Sequence, residues 1–462
     1  MSTRRDPDSD PVVAQARRAL VLGLGVTGRA VAAALVARGV EVLAVEDHPT
    51  PATADAAQSL GVELLEAPSP DDLDAALAGV DLALPSPGVP DAHPLFALAA
   101  RRATPLRSEF DLAGAWDDRP LAVVTGTDGK TTVTTMVTEM LEASGVVAVA
   151  CGNTEVPLVA AIDDPATQVF VVEASSFRLG HTHRLRPAVA TWLNFAPDHL
   201  DVHASLEAYE AAKARIWHGL AAGGGTAVVN LDDPVVARNA PAGAATLTYS
   251  LDPDRAADAR VHDHRLVVGD VDLVEVGELR RGLPHDVANA LAASATALQV
   301  GATADGVREV LRRFTGLAHR VQHVADLGGV AWYDDSKATT PHAALAAVAG
   351  FASVVLVAGG RNKGLDLGVL ATGVPPVRAV VAMGEAAPEV AAAFAPTGVE
   401  IRTATTDIAQ AVRLAAGLAV AGDSVVLSPA CTSFDWFGSY AERGDAFQAA
   451  VRALDATEVG GR

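Results

Sequence analysis

The run Gly126-Thr127-Asp128-Gly129-Lys130-Thr131 carries the residue types that a phosphate group needs. Its glycines let backbone N–H groups turn inward as an anion nest, and a helix opening at Lys130-Thr131-Thr132 adds the positive end of its dipole. Lys130 can reach β- and γ-phosphate oxygens as a mobile cation, and the Thr131 hydroxyl can ligate the magnesium that travels with ATP. The usual spacing places the first glycine five residues before the second. Val124 stands there, so this is a shortened phosphate loop rather than a strict Walker A motif. A glycine-bearing turn with an incidental lysine is the competing reading. It leaves unexplained why Lys-Thr-Thr opens a helix directly after the apolar run Leu121 to Val124.

A second glycine cluster, Gly23, Gly25 and Gly28, has dinucleotide-site spacing, and Glu46 and Asp47 follow at the end of the next strand. These glycines supply a tight turn and the close approach of a diphosphate to a helix N-terminus, which a UDP-linked sugar uses as well as a dinucleotide does. The cluster therefore reports diphosphate and leaves the nucleotide open. A ligand-free strand-to-helix turn is its bland reading.

Two further strand ends carry chemistry. Val169 to Val172 is an apolar run that ends in Glu173, placed to hold magnesium, and Asn194 to Asp201 sets His199 between two acids as a metal ligand or general base. Alone, each reads equally as a solvated carboxylate or a satisfied loop histidine. In the helix Glu207 to Arg215, spacing alone makes Lys213 an i,i+3 partner of Glu210 on a wet face.

The elements that must position these residues are those of an α/β protein. Val- and Leu-rich runs alternate with Ala-rich amphipathic stretches, the pattern of mostly parallel sheets. The first unit runs from a strand at Ala19 to Leu22 through the glycine turn into a helix from Arg29 to Arg38, then a strand from Val40 to Val45. A second set opens at Leu121, and a third near Val330, including runs at 353–358 and 424–427. With 462 residues, half of them apolar, three domains are expected: 1–108, 109–317 and 318–462. The tips, Met1 to Asp10 and Gly460 to Arg462, read as loose ends. A formal charge of −21 argues against nucleic acid and acidic membranes as partners. No long apolar run suggests a membrane span or signal peptide, so a cytoplasmic protein is expected. Cys151 and Cys431 lack metal-ligand spacing and read as reduced thiols.

Taken in order, Gly126 to Thr132, Glu173 to Phe177, Asn194 with Asp198 to Asp201, His285 with Asn289, Gly316 to Arg320 and Asp334 to Thr339 resemble the Mur ligases of peptidoglycan synthesis. The resemblance covers nearly the whole chain. Gly359 to Gly364 and Ser428 to Phe437 place it nearest the branch that adds D-glutamate, and the Asp-Asn-Pro-Arg motif of the meso-diaminopimelate branch is missing.

The resemblance implies an N-terminal Rossmann-like domain for UDP, a central P-loop ATPase-like domain, and a C-terminal Rossmann-like domain for the amino acid, arranged as a closing clamp. It implies ATP with two magnesium ions, UDP-N-acetylmuramoyl-L-alanine and D-glutamate as substrates, and a monomer. Gly126, Thr127, Asp128, Gly129, Lys130, Thr131, Thr132, His285, Asn289, Arg320 and Asp335 would hold ATP. Thr131, Glu173 and His199 would bind metal, joined by Lys213 if carbamylated to N6-carboxylysine. Gly25, Val26, Thr27, Glu46, Asp47, Ser86, Pro87, Gly88 and Asn153 would take the UDP substrate. Thr339, Lys363, Ser433, Phe434 and Tyr440 would take D-glutamate, with Lys337 positioning phosphate and His199 nominated to accept the amine proton.

The expected reaction passes through an acyl phosphate, in cell-wall precursor synthesis. Another Mur-type or folylpolyglutamate-synthase-like ligase with a different acceptor is the nearest alternative. Three departures stand out: Asp286 replaces the usual Asn after His285, Glu46-Asp47-His48 replaces an Asp-Thr-Arg-like triplet, and Tyr440 replaces Phe. Two other classes explain less. An oxidoreductase rests on Gly23 to Gly28 alone, and a P-loop switch would need a guanine-reading motif that Asn362 to Asp366 misses by one residue.

Overall fold

The structure, a computed structural model, describes residues 10–199 and 202–454 of the 462. The chain forms three sheets, and each lies within one of the three expected blocks. By contact it divides into two compact units. The first holds the first two sheets, and Ala196–Asp201, Leu279–Ala288 and Phe314–Arg462 make up the second.

In the first unit, four parallel strands stand in the order Glu63–Glu66, Glu41–Glu46, Arg18–Leu22, Leu82–Pro85. Arg18–Leu22 is buried on both faces, as its unbroken apolar run requires. The following helix begins at Val26, three residues before the sequence reading, because Gly25 already serves as its N-cap.

The second sheet of this unit has nine strands. Ala148–Gly152, Val169–Glu173, Leu121–Thr125, Val189–Trp192, Thr226–Asn230, Ala245–Ser250 and Ala259–His262 run parallel. Arg265–Val268 and Val271–Glu275 add an antiparallel edge. Leu121–Thr125 pairs with Val169–Glu173 on one side and Val189–Trp192 on the other. Successive crossovers leave in opposite directions there, which opens a ligand crevice at the strands' carboxyl ends. Phe170, Trp192 and Ile216 fill the core beneath it.

In the second unit, an antiparallel strand, Gln322–Leu327, precedes Val330–Asp334, so this sheet opens earlier than expected. Ser424–Leu427, Val354–Gly359, Val377–Met383 and Glu400–Ala404 continue it in parallel. Both cysteines are free and buried, and burial pushes the Cys431 thiol up to about 12.

Met1 to Ser9 and Gly460 to Arg462 lie outside the described residues. Asp10, expected with the loose N-terminal tip, is instead buried. Its carboxylate caps the helix Pro11–Gln15 through Val12 N and pairs with Arg107. A short acidic side chain beside a proline-started helix is a cap signal that the tip's composition hid. No described helix is long and apolar enough to cross a membrane.

Candidate active site

The phosphate loop joins the strand Leu121–Thr125 to the helix Lys130–Ala143, whose N-cap Gly129 has φ 81°. A Cβ on Gly129 would lie 2.8 Å from Asn289 Oδ1, so both conformation and space require glycine. Gly129 offers no side chain to cap this helix, whose first turn follows the loop directly. Asn194, at the end of the neighbouring strand, braces the loop. Its Oδ1 accepts from the amides of Thr127 and Asp128, each at 2.9 Å, and its Nδ2 donates to Asp128 O. Thr127 Oγ1 lies 3.2 Å from the Tyr209 hydroxyl. The sequence reading assigned Asn194 and Tyr209 no role; their signal was an Asn directly after an apolar strand. Lys130 curls over the loop, its Nζ donating to the carbonyls of Gly126 and Thr127 at 2.9 Å. Thr131 is half-buried and Thr132 buried.

Sheet register puts Glu173 beside Val124, immediately before the loop. The carboxylate is buried. Oε1 accepts from Asn153 Nδ2 at 2.9 Å, while Oε2 has no hydrogen-bond partner. An unsatisfied buried carboxylate oxygen costs several kcal/mol, about the price of an unpaired buried charge, unless a cation completes it. Its hard oxygen, with the Thr131 hydroxyl near the helix start, fits magnesium. Among the described residues, no group of three or more His, Cys, Asp or Glu is arranged to hold a metal. Asn153, expected to approach the sugar substrate, is the residue that holds Glu173.

The reading of Lys213 on a wet helix face fails. Lys213 is 1% exposed, donates to Gly126 O at 2.7 Å and sits 4.7 Å above the Tyr209 ring. Glu210 instead bonds Arg238 and Asn239. The i,i+3 rule describes an isolated helix, and this one presses that face against the phosphate loop.

In the four-stranded sheet, the glycine turn is held from two sides. Ser86 Oγ donates to Gly23 O at 2.7 Å, and Glu46 Oε2 accepts from Leu24 N at 2.9 Å. Asp47 faces His93 at 3.1 Å. Thr27, Gly28, Ser86 and Pro87 line a cleft with Arg178, which bonds Thr27 Oγ1 at 2.8 Å and pairs with Glu109. Gly25 and Val26 are exposed at the helix start, and Gly88 takes φ 105°. A Cβ on Gly28 would fall 1.8 Å from Gly23 O, a backbone atom that cannot yield. Gly28→Ala is expected to destabilise the protein to urea by about 1–3 kcal/mol. A wild-type value would refute the close approach.

In the second unit, His199 adopts φ 55° and its Nε2 lies 3.2 Å from Asp198 Oδ2. Leu200 and Asp201 of the same motif lie outside the described residues. Lys363, expected on a substrate carboxylate, is paired with Asp198 at 2.7 Å. Lys337 Nζ stands 3.7 Å over the Tyr440 ring. Thr339 and Tyr440 are half-buried, Ser433 is buried, and the Phe434 side chain is 60% exposed.

The loops carrying these groups are stitched by Arg443, which the sequence reading did not single out. Its guanidinium donates to Ser336 Oγ and O and to the carbonyls of Cys431 and Thr432, all between 2.8 and 3.1 Å. Burial pushes Arg443 down to about 10. The Arg361 and Thr432 backbones exchange two further bonds. Asp335 is buried. Its oxygens accept from Val321 N and Ser428 Oγ, and burial raises its carboxyl to about 7. Asp286, the departure after His285, is paired with Arg281 at 3.1 Å, and Arg320 is half-buried. Asn289 belongs to the first unit, His285 and Arg320 to the second.

Comparison with known proteins agrees along the chain. Residues 124–297 match the model of the Mur ligase middle domain, and 319–431 that of the Mur ligase glutamate ligase domain. The chain is 43% identical over 452 residues to the UDP-N-acetylmuramoylalanine–D-glutamate ligase of Frankia casuarinae, covering 94% of both. It is 38% identical over 472 residues to that of Thermobifida fusca, covering 95% of this chain and 98% of the relative. Among solved structures, the UDP-N-acetylmuramate-alanine ligase of Thermotoga maritima shares the fold, with a TM-score of 0.54, 18% identity and coverage of 95% and 100%.

Proposed function

Because the chain belongs to the Mur ligase family, we infer that it is the ATP-dependent ligase that joins D-glutamate to UDP-N-acetylmuramoyl-L-alanine in peptidoglycan precursor synthesis. At the site, one observation carries the reading: the glycine loop with Lys130 lies beside a buried carboxylate, Glu173, that keeps one oxygen without a partner.

The chemistry follows from charge. A substrate carboxylate attacking the γ-phosphate is anion meeting anion. In our reading, Lys130 exchanges its loop carbonyls for phosphate oxygens and neutralises them, while the amides at the start of Lys130–Ala143 orient the phosphates. A carboxylate oxygen bonds to the γ-phosphorus as the bond to ADP breaks, giving an acyl phosphate. The free amine of D-glutamate then attacks the acyl carbon, and phosphate leaves with the bonding pair. His199, held by Asp198, is our nominee for the amine proton. Magnesium, held by Thr131 and Glu173, supplies positive charge against the phosphates.

Two ions, rather than one, would follow from carbamylation of Lys213. Carbon dioxide would add to its amine with loss of a proton, leaving one N–H on Nζ to donate to Gly126 O and adding an anionic carboxylate beyond it. The UDP moiety is assigned to the cleft at Thr27, Gly28 and Ser86, which the fixed turn prepares for a diphosphate. D-Glutamate is assigned to Thr339, Ser433 and Lys363, with Lys363 leaving Asp198 for a substrate carboxylate and Tyr440 as an aromatic wall. His285, Asn289, Arg320 and Asp335 are assigned to the nucleotide. We place the enzyme in the cytoplasm, where its nucleotide substrates are, as a monomer.

A panel of amino acids, each supplied with ATP and UDP-N-acetylmuramoyl-L-alanine, tests the reading through phosphate release and coupled product. Turnover is expected with D-glutamate and not with L-alanine or meso-diaminopimelate. Phosphate release that ignores both the UDP substrate and the amino acid would remove the ligase reading.

A further inference from the structure

Asp286 puts a negative charge at the start of the helix Pro284–Gln299, one residue after His285, where the reading above places an anionic nucleotide. Left alone, that carboxylate would repel phosphate. It is not alone. Arg281 Nε donates to Asp286 Oδ1 at 3.1 Å, and both side chains are largely buried at 16% and 13% exposure. The same guanidinium reaches across to the backbone, where Nη1 donates to the carbonyls of Arg320 and Val321.

That backbone needs support. Gly316, His319 and Val321 have φ of 90°, 59° and 46°. The left-handed region is a genuine outlier for a β-branched residue, and such strain persists only where surroundings over-determine it. Val321 is held at both ends of its backbone, its amide by Asp335 Oδ1 at 3.2 Å and its carbonyl by Arg281 at 3.2 Å. The fit is close, since a Cβ on Gly316 would lie 2.4 Å from Arg281 Nη1.

We propose that Arg281 is a positioning residue for nucleotide binding: its fork ties the Asp286 carboxylate beside His285 to the strained Arg320–Val321 backbone, cancelling one charge and fixing both nucleotide-facing residues. One planar group with donors in two directions is needed, which lysine cannot supply. The proposal rests on the reading that this edge takes ATP.

Calorimetry of magnesium-ATP binding to the full chain, without the other substrates, tests it, alongside KM values in the complete reaction. Arg281→Met is expected to weaken ATP by about tenfold, as displaced positioning groups do, with KM for D-glutamate within about twofold of wild type. Arg281→Lys should fall between the two. Asp286→Asn keeps an acceptor and should cost little, and in the Arg281→Met background it should recover part of the lost affinity, because it removes the charge that Arg281 cancels. If Arg281→Met does not fold, Arg281→Lys carries the comparison. Wild-type ATP affinity in the Arg281 variants, or equal losses for ATP and D-glutamate, would overturn the strut alone. A wild-type protein that binds no ATP would overturn the nucleotide reading and the strut with it.

Discussion

Lys130→Ala is expected to lower kcat by about a thousandfold or more, equivalent to about 4 kcal/mol of transition-state stabilisation. The side chain is a half-buried cation on a loop whose shape is fixed by other groups: Asn194 holds the amides of Thr127 and Asp128, and Gly129 sets the turn. Removing it deletes its bonds to the carbonyls of Gly126 and Thr127. Thermal unfolding should therefore stay within a few degrees of wild type while phosphate release collapses. Lys130→Arg should recover little, since a planar fork cannot replace a point charge in a nest shaped for one. A variant with near-normal turnover would show that phosphate charge is neutralised elsewhere.

Glu173→Gln carries the second large expectation, a fall of about a hundredfold or more in kcat together with a raised magnesium requirement. The substitution keeps shape and the bond from Asn153 but replaces the unpartnered anionic oxygen with a group that holds a divalent cation poorly. The two variants separate by their response to metal. Raising magnesium should restore part of the Glu173→Gln activity and none of the Lys130→Ala activity. Restoration of both, or of neither, would contradict the division of labour between carboxylate and ammonium.

Much of this site was legible in the sequence because it is local. Glycine spacing, a lysine at a helix start and an acid at the end of an apolar strand each depend on neighbours within a few residues, and the parallel sheet brings those strand ends to one edge. What residue spacing alone missed was set by tertiary contact. Lys213 is the clearest case: helical spacing offers it Glu210, while the fold turns it onto Gly126, 87 residues away in sequence. Arg443 and Ser336, separated by 107 residues, share no pattern that spacing could reveal. Asp10 was lost in the opposite way, as a local cap in a segment whose composition resembles a tail. Asp286 was visible as a departure, but its partner Arg281 is recognisable only once the helix start is formed.

Arg443 has a consequence of its own. Its hydrogen bonds all end on hydroxyl or carbonyl oxygens. Those acceptors do not titrate, and the buried donors are shielded from dissolved ions. The Lys363–Asp198 contact nearby instead joins two oppositely charged side chains at 2.7 Å. In our reading Lys363 exchanges that partner for the amino acid while the seam of neutral acceptors that keeps its loop in register stays intact. The domain separates a fixed fastening, built on neutral acceptors, from a latch built on one ion pair.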